Sequence, residues 1–180
     1  MHQNKTTLII AVTIVIIVGN VYSFLNKDPV FNVSAEGEDK VIPLKGLADI
    51  AANKSLKARV SGHGFVLIAD LAITDEQREK GLAVKDQLKE NEGMLFIFKE
   101  LARHSFWMKD MKFPIDIIWL DGNGKVVHVE DNLKPCASVF NCHIYDPNTN
   151  SQYVLETVAG FAQKHEISLG TNINIKPISQ

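Results

Sequence analysis

The sequence predicts an α+β domain that is mostly β. Its sheet is expected to be small, barrel-like and closed or nearly closed, with two or three short helices and an N-terminal transmembrane helix ahead of it. Three observations predict this. At least six short apolar runs rich in β-forming residues recur between residues 65 and 176, with turn residues between them. Only two or three stretches carry helical spacing or a cap. An uncharged, apolar segment occupies residues 6–26. A chain of 180 residues is long enough for one domain with a real core, and 46% hydrophobic and 22% charged residues are ordinary globular values.

From Thr6 through Asn26 there is no charge, and Leu8 to Val18 is almost wholly apolar, with Lys5 before the segment and Lys27 after it. About 20 apolar residues cross a bilayer as a helix, and this stretch reaches that length. It has no polar face, which argues against a buried helix of a soluble core. As an anchor it keeps Lys5 on the cytoplasmic side. As a signal peptide it places Val21 and Ser23 before a cleavage point and the product is secreted. The poor match to A-x-A, and Tyr22 and Phe24 at an interface, favour the anchor. Either way the following domain is expected outside the cytoplasm. Residues 27–56 read as a tether, because Asp28, Pro29, Glu36 to Lys40 and Pro43 interrupt every apolar stretch. Within it Leu47, Ile50, Ala51 and Lys54 suggest a short helix over Leu44–Lys57. The globular domain is expected over 57–178.

Phe65–Leu71 reads as a buried strand. Thr74 offers an N-cap hydroxyl, Asp75 and Glu76 suit a first helical turn, and Gln77 completes a capping box, with Gly81 as the stop. Met94–Phe98 and Ser105–Met108 are further strands. Ile115–Leu120 and Lys125–Val129 flank Asp121-Gly122-Asn123-Gly124, a strong hairpin signal. Tyr153–Val158 is a strand, Ala159–Glu166 a two-turn helix and Asn172–Lys176 a last strand.

The formal net charge of −2, without a basic cluster, gives nucleic acid no electrostatic footing. Cys136 and Cys142 are the only cysteines, spaced within one loop; in an exported domain they read as a disulfide. The competing reading is a soft metal site with His143, although the spacing lacks C-x-x-C and a fourth ligand. His104, Met108 and Met111 are a second soft-metal set, set against the commoner use of Met as core filler. Hydrolase elbows, zinc-protease motifs and phosphate loops do not occur. Asp116 and Glu156 each interrupt an apolar strand. Such acids are first read as solvent-facing, otherwise as paired with Arg78, Arg103 or Lys109. If they meet in one cleft they suit acid–base work. Trp107 is first read as core; exposed beside Lys109 and Asp110, it would suit stacking on a flat ligand.

Three ordered blocks then become recognisable: Arg78-Glu-Lys-Gly81-Leu82 with Glu92 to Phe98; Phe106 to Asp110 with Pro114 to Ile118 and Gly124 to Val127; and Tyr153 to Glu156 with Ala159-Gly160, ending at Gly170. From Arg78 to Ile175 the chain resembles the DUF192 family, a domain of unknown function, and the loop from Pro135-Cys136 to Cys142 and Tyr145 is similar to that family's paired-cysteine loop. The resemblance implies a compact, mostly β architecture and no agreed activity, cofactor or catalytic residue. This chain has Ala83 and Lys85 where the family usually shows Met and Arg, and Asp110 where Asn is common.

The function expected is an exported, membrane-tethered binding domain for a small polar molecule, a glycan or a protein, with no cofactor and no nucleic-acid partner. Its candidate surface comprises Arg78, Trp107, Lys109, Asp110, Asp116 and Glu156, rimmed by the Cys136–Cys142 loop. The alternatives are an extracytoplasmic hydrolase or lyase using Asp116 and Glu156, and a redox or soft-metal module using Cys136, Cys142 and His143.

Overall fold

In a computed structural model the described residues are 30–35, 38–43 and 56–178. The predicted membrane segment and most of the predicted tether lie outside them. Among the described residues no helix is long and apolar enough to cross a membrane.

The domain is a mostly β α+β fold around one twisted sheet. In chain order the strands are β1 (Val30–Ala35), β2 (Glu38–Pro43), β3 (Lys57–Gly62), β4 (Phe65–Ala72), β5 (Glu92–Ala102), β6 (Phe106–Trp107), β7 (Ile115–Leu120), β8 (Val126–Leu133), β9 (Ile144–Tyr145), β10 (Ser151–Val158) and β11 (Asn174–Ile178). The helices are α1 (Asp75–Lys80), which runs into a 3-10 turn at Gly81–Val84, and α2 (Phe161–Lys164). Seven strands in the order β11-β3-β4-β5-β10-β7-β8 make the body of the sheet, and β1 and β2 extend it beyond β11. β1 and β2 therefore fall within the stretch read as a tether, and Lys57 begins a strand, not the end of a helix.

Sequence chemistry accounts for the central order. β7 reads Ile-Asp-Ile-Ile-Trp-Leu and is buried at every position. An antiparallel strand exposed on one face would alternate with polar residues; one covered on both faces reads apolar throughout. Successive side chains point to opposite faces, and the core divides accordingly. Leu95, Ile97, Ile118, Leu120 and Leu155 join Phe161 and Ala162 of α2 in one cluster. Met94, Phe96, Ile115, Ile117, Trp119 and Val154 join Leu82 and Met108 in the other. Gly93 is needed where β5 crosses β10, since a Cβ there would lie 2.8 Å from the Glu156 carbonyl oxygen.

The helix start is the one the sequence announces. Thr74 Oγ1 accepts from Gln77 N at 3.2 Å, and Gln77 Oε1 accepts in return from Thr74 N at 3.1 Å. In the β7–β8 hairpin Asp121 Oδ1 accepts from the backbone N–H of Asn123 and of Lys125. The left-handed residue is Gly124, at φ +79°, where a Cβ would lie 2.3 Å from the Ile173 oxygen.

Of the closed or nearly closed sheet expected from sequence, the mostly β fold is found and a closed barrel is not. Among the described residues the start of β8 and the approach to β11 share one isolated antiparallel bridge, Lys125 to Asn172, flanked by backbone bonds from Val126 N to Thr171 O at 2.9 Å, Gly170 N to Val126 O at 2.9 Å and Ile173 N to Gly124 O at 2.8 Å. Closure requires a continuous ladder between the end strands; here β2 and β8 are the two ends of the sheet, and no ladder joins them among the described residues.

Candidate functional site

On the sheet face that carries α1, a pocket of about 370 Å³ opens between α1, the 3-10 turn, β5, β6 and β10. Phe96, Phe98, Phe106 and Trp107 supply aromatic walls, Arg78, Arg103 and Lys109 supply cations, and Glu156 belongs to its lining. Edge-to-face contacts order the wall: Phe106 meets Phe96 at 4.9 Å and Trp119 at 5.8 Å. Trp119, fully buried on β7, donates its indole N–H to the His104 carbonyl at 2.8 Å. That bond fixes the segment from which the His104 ring stacks on Phe98 at 3.5 Å. Burial holds the His104 imidazole below its ordinary pKa.

Glu156 is the unusual group. Alternation along β10 turns it to the same face as Val154, into an apolar layer, and its side chain is 4% exposed. Its Oε2 has no hydrogen-bond partner among the described residues. Burial pushes its pKa up to about 8, against a smaller opposing effect of the Leu82 backbone N–H. Burial thus favours the protonated form at neutral pH, a carboxyl group able to offer an O–H to a pocket of aromatic rings.

Arg78 is held differently. Its Nη1 donates to the Ile73 carbonyl and, at 3.0 Å, to the Ile97 carbonyl; Nη2 donates to Asp75; and the guanidinium lies 5.3 Å from the centre of Phe98. Lys109 Nζ sits 5.2 Å from the Trp107 ring centre. Trp107 is 51% exposed, so the reading of it as core is corrected. In the β6–β9 ribbon Phe106 and Tyr145 pair on the side packed against the core, Trp107 pairs with exposed Ile144 on the other, and the buried indole of this region is Trp119.

Asp116 does not belong to the pocket. It pairs in register with Thr157, one position off Glu156, so the two acids point to opposite faces of the sheet. Both are buried, against the solvent-facing expectation. The Asp116 carboxylate accepts from Asn132 N at 2.8 Å and Gly160 N at 3.0 Å through Oδ1, and from Ala162 N at 2.8 Å through Oδ2. It stitches β8 and the start of α2 to β7, using backbone N–H groups in place of the cationic partners considered from sequence. A joint acid–base role with Glu156 has no geometric basis. Asp110 is exposed outside the pocket lining, in a turn at φ +58°. Asn and Asp are the residues that enter this left-handed region most readily, which explains why either serves there.

Cys136 and Cys142 stand at disulfide distance, with Cα atoms 5.3 Å apart. Cys136 N donates to Met108 O at 3.1 Å, and two residues past Cys142 the chain enters β9, which pairs Ile144 with Trp107. The loop thus backs the pocket's rim. Met108 is 1% exposed in the core and is no metal ligand facing solvent. Among the described residues no three His, Cys, Asp or Glu side chains gather as a metal site. Sequence reasoning missed the aromatic walls Phe96, Phe98 and Phe106 as site residues; their apolar strand pattern signals core alone.

Fold and pocket together define a class: a mostly β α+β domain with a ligand-sized pocket on one sheet face and a disulfide-spaced loop behind its rim. The chain belongs to the DUF192 family (Uncharacterized ACR), whose sequence profile matches residues 57–175. Among solved structures it is similar to a "putative transcription regulator" from Sinorhizobium meliloti 1021, at 28% identity, with a TM-score of 0.60, over 67% of this chain and 92% of that one. It shares the fold of a protein of unknown function from Novosphingobium aromaticivorans DSM 12444, at 21% identity and a TM-score of 0.57, over 79% of this chain and 91% of that one. No curated protein matches the chain.

Proposed function

We propose that this protein is a binding domain for a small molecule, tethered outside the cytoplasm by residues 6–26, and that the pocket floored by Glu156 is its binding site. The observation that carries the reading is Glu156 itself. A buried polar atom without a partner costs about 1–3 kcal/mol, and a ligand that accepts from that O–H recovers part of the cost. Aromatic walls with a few convergent polar groups are the usual make-up of ligand pockets. The cysteine pair fits an oxidising compartment, and the uncharged segment supplies a route there.

The Sinorhizobium meliloti protein is described as a putative transcription regulator. In this chain a net charge of −2 provides no long-range attraction for nucleic acid.

Tryptophan fluorescence tests the proposal, because Trp107 is exposed at the pocket while Trp119 is fully buried. Titrating the full chain in detergent with a metabolite and glycan panel should quench or shift the Trp107 component. W107F should abolish the signal and E156A should weaken binding at least ten-fold. A panel whose hits are all indifferent to E156A would overturn the reading.

A further inference from the structure

We infer that the pocket takes a small organic acid: a flat or cyclic body bearing a carboxylate, which meets Arg78 and Lys109, and a second oxygen acceptor, which meets Glu156. This deepens the binding reading above and rests on it.

The charge pattern inside the pocket carries the inference. Of the cations that line it, Arg103 is committed to Asp146 and Asn148, and Lys80 to Glu76. Arg78 is paired with Asp75 much as Lys80 is with Glu76, but Arg78 is the more buried cation, its side chain 23% exposed against 58% for Lys80. An arginine carries five N–H donors in a fixed fork. Two backbone carbonyls fix the Nη1 end of Arg78, and its one acidic partner, Asp75, is 99% exposed. A ligand carboxylate can replace a water-screened partner of that kind, and the guanidinium is already oriented for it. Lys109 has no carboxylate partner among the described residues; it faces only the Trp107 ring.

The acids of the pocket do not oppose an anion. Asp75 and Glu79 are exposed on α1, where water screens them. Burial favours the uncharged form of Glu156 at neutral pH, opposed by the Leu82 N–H, with no cation beside it. The floor is thus a neutral donor, separate from the cationic Arg78. The ligand that satisfies both ends is an anion at one end and a neutral acceptor at the other. Phe98, Phe106 and Trp107 between them favour a planar body.

The test compares three matched probes on the full chain in detergent: 4-hydroxybenzoate, its amide and 4-hydroxybenzylamine, measured by ligand-observed NMR and calorimetry at pH 7. The acid should bind at least ten-fold tighter than the amide, and the amine weakest. K109Q should weaken the acid several-fold and leave the amide unchanged. R78Q should do so more strongly, with circular dichroism checking that its supported carbonyls have not cost the fold. Equal binding of acid and amide, or preference for the amine, overturns the organic-acid assignment while the pocket stands. If no probe binds but an aromatic fragment library still maps to the pocket, the assignment fails alone. If the library maps elsewhere, the binding reading falls with it.

Discussion

Two acids in apolar strands have opposite fates, and the difference is a matter of which side of the sheet each faces. Asp116 lies where β8 and α2 present three backbone N–H groups to it. Replacing it with alanine leaves those donors without partners, each costing about 1 kcal/mol or more. D116A should therefore lower stability by roughly 3 kcal/mol in urea unfolding while leaving ligand binding per folded molecule intact. Glu156 has burial and one N–H, and its pKa rises from 4.5 to about 8. The native state keeps a proton that the unfolded chain releases, so stability is full below pH 4.5, falls between 4.5 and 8, and is flat above. E156Q removes the titration. Its stability should exceed that of the wild type by an amount that grows from about pH 4.5 and levels near pH 8, reaching on the order of a few kcal/mol. Chemical unfolding of both proteins from pH 4 to pH 9 checks this; parallel curves would refute it. Sequence showed that both acids were unusual. It did not show which face each took, because that depends on strand register set by long-range pairing.

At the scale of elements, local chemistry was legible and pairing was not. The capping box at Thr74 and the Asp121–Gly124 turn are short-range signals, and both form as read. β3 was missed because Lys57–Gly62 offers only Ala58 and Val60 as buried residues, too few to stand out from a linker. A closed or nearly closed sheet was expected because many short strands suggest closure; the sheet instead runs open from β2 to β8, a long-range geometry no turn residue encodes. The β6–β9 ribbon is the element most dependent on its surroundings. It has two residue pairs, Phe106 with Tyr145 and Trp107 with Ile144, and an isolated pair of such strands is marginal in water. The Cys136–Cys142 link closes the loop that leads into it. Reduction with a dithiol, or C136S/C142S, should cost about 2 kcal/mol or less of global stability. The larger effect should be local: faster amide exchange at residues 106–108 and 144–145, with weaker ligand binding. Unchanged exchange there would show that the loop does not support the rim.

Across the whole molecule the sheet separates two kinds of interior. The α2 side is closed by Phe161, Ala162 and Ile167 and by the Asp116 bonds. The α1 side keeps a pocket among Phe98, Phe106, Trp107, Arg78 and Glu156. Membership of DUF192 covers residues 57–175 of this fold. Four of the six candidate residues named from sequence, Arg78, Trp107, Lys109 and Glu156, line the pocket; Asp110 and Asp116 serve the backbone instead. The most direct measurement is chemical-shift mapping of an aromatic fragment library on the isotope-labelled full chain. The account predicts perturbations concentrated at Leu82, Phe98, the Trp107 indole and Glu156, and lost in E156A. Perturbations gathered instead around Phe161 and His165, or unaffected by that substitution, would contradict it.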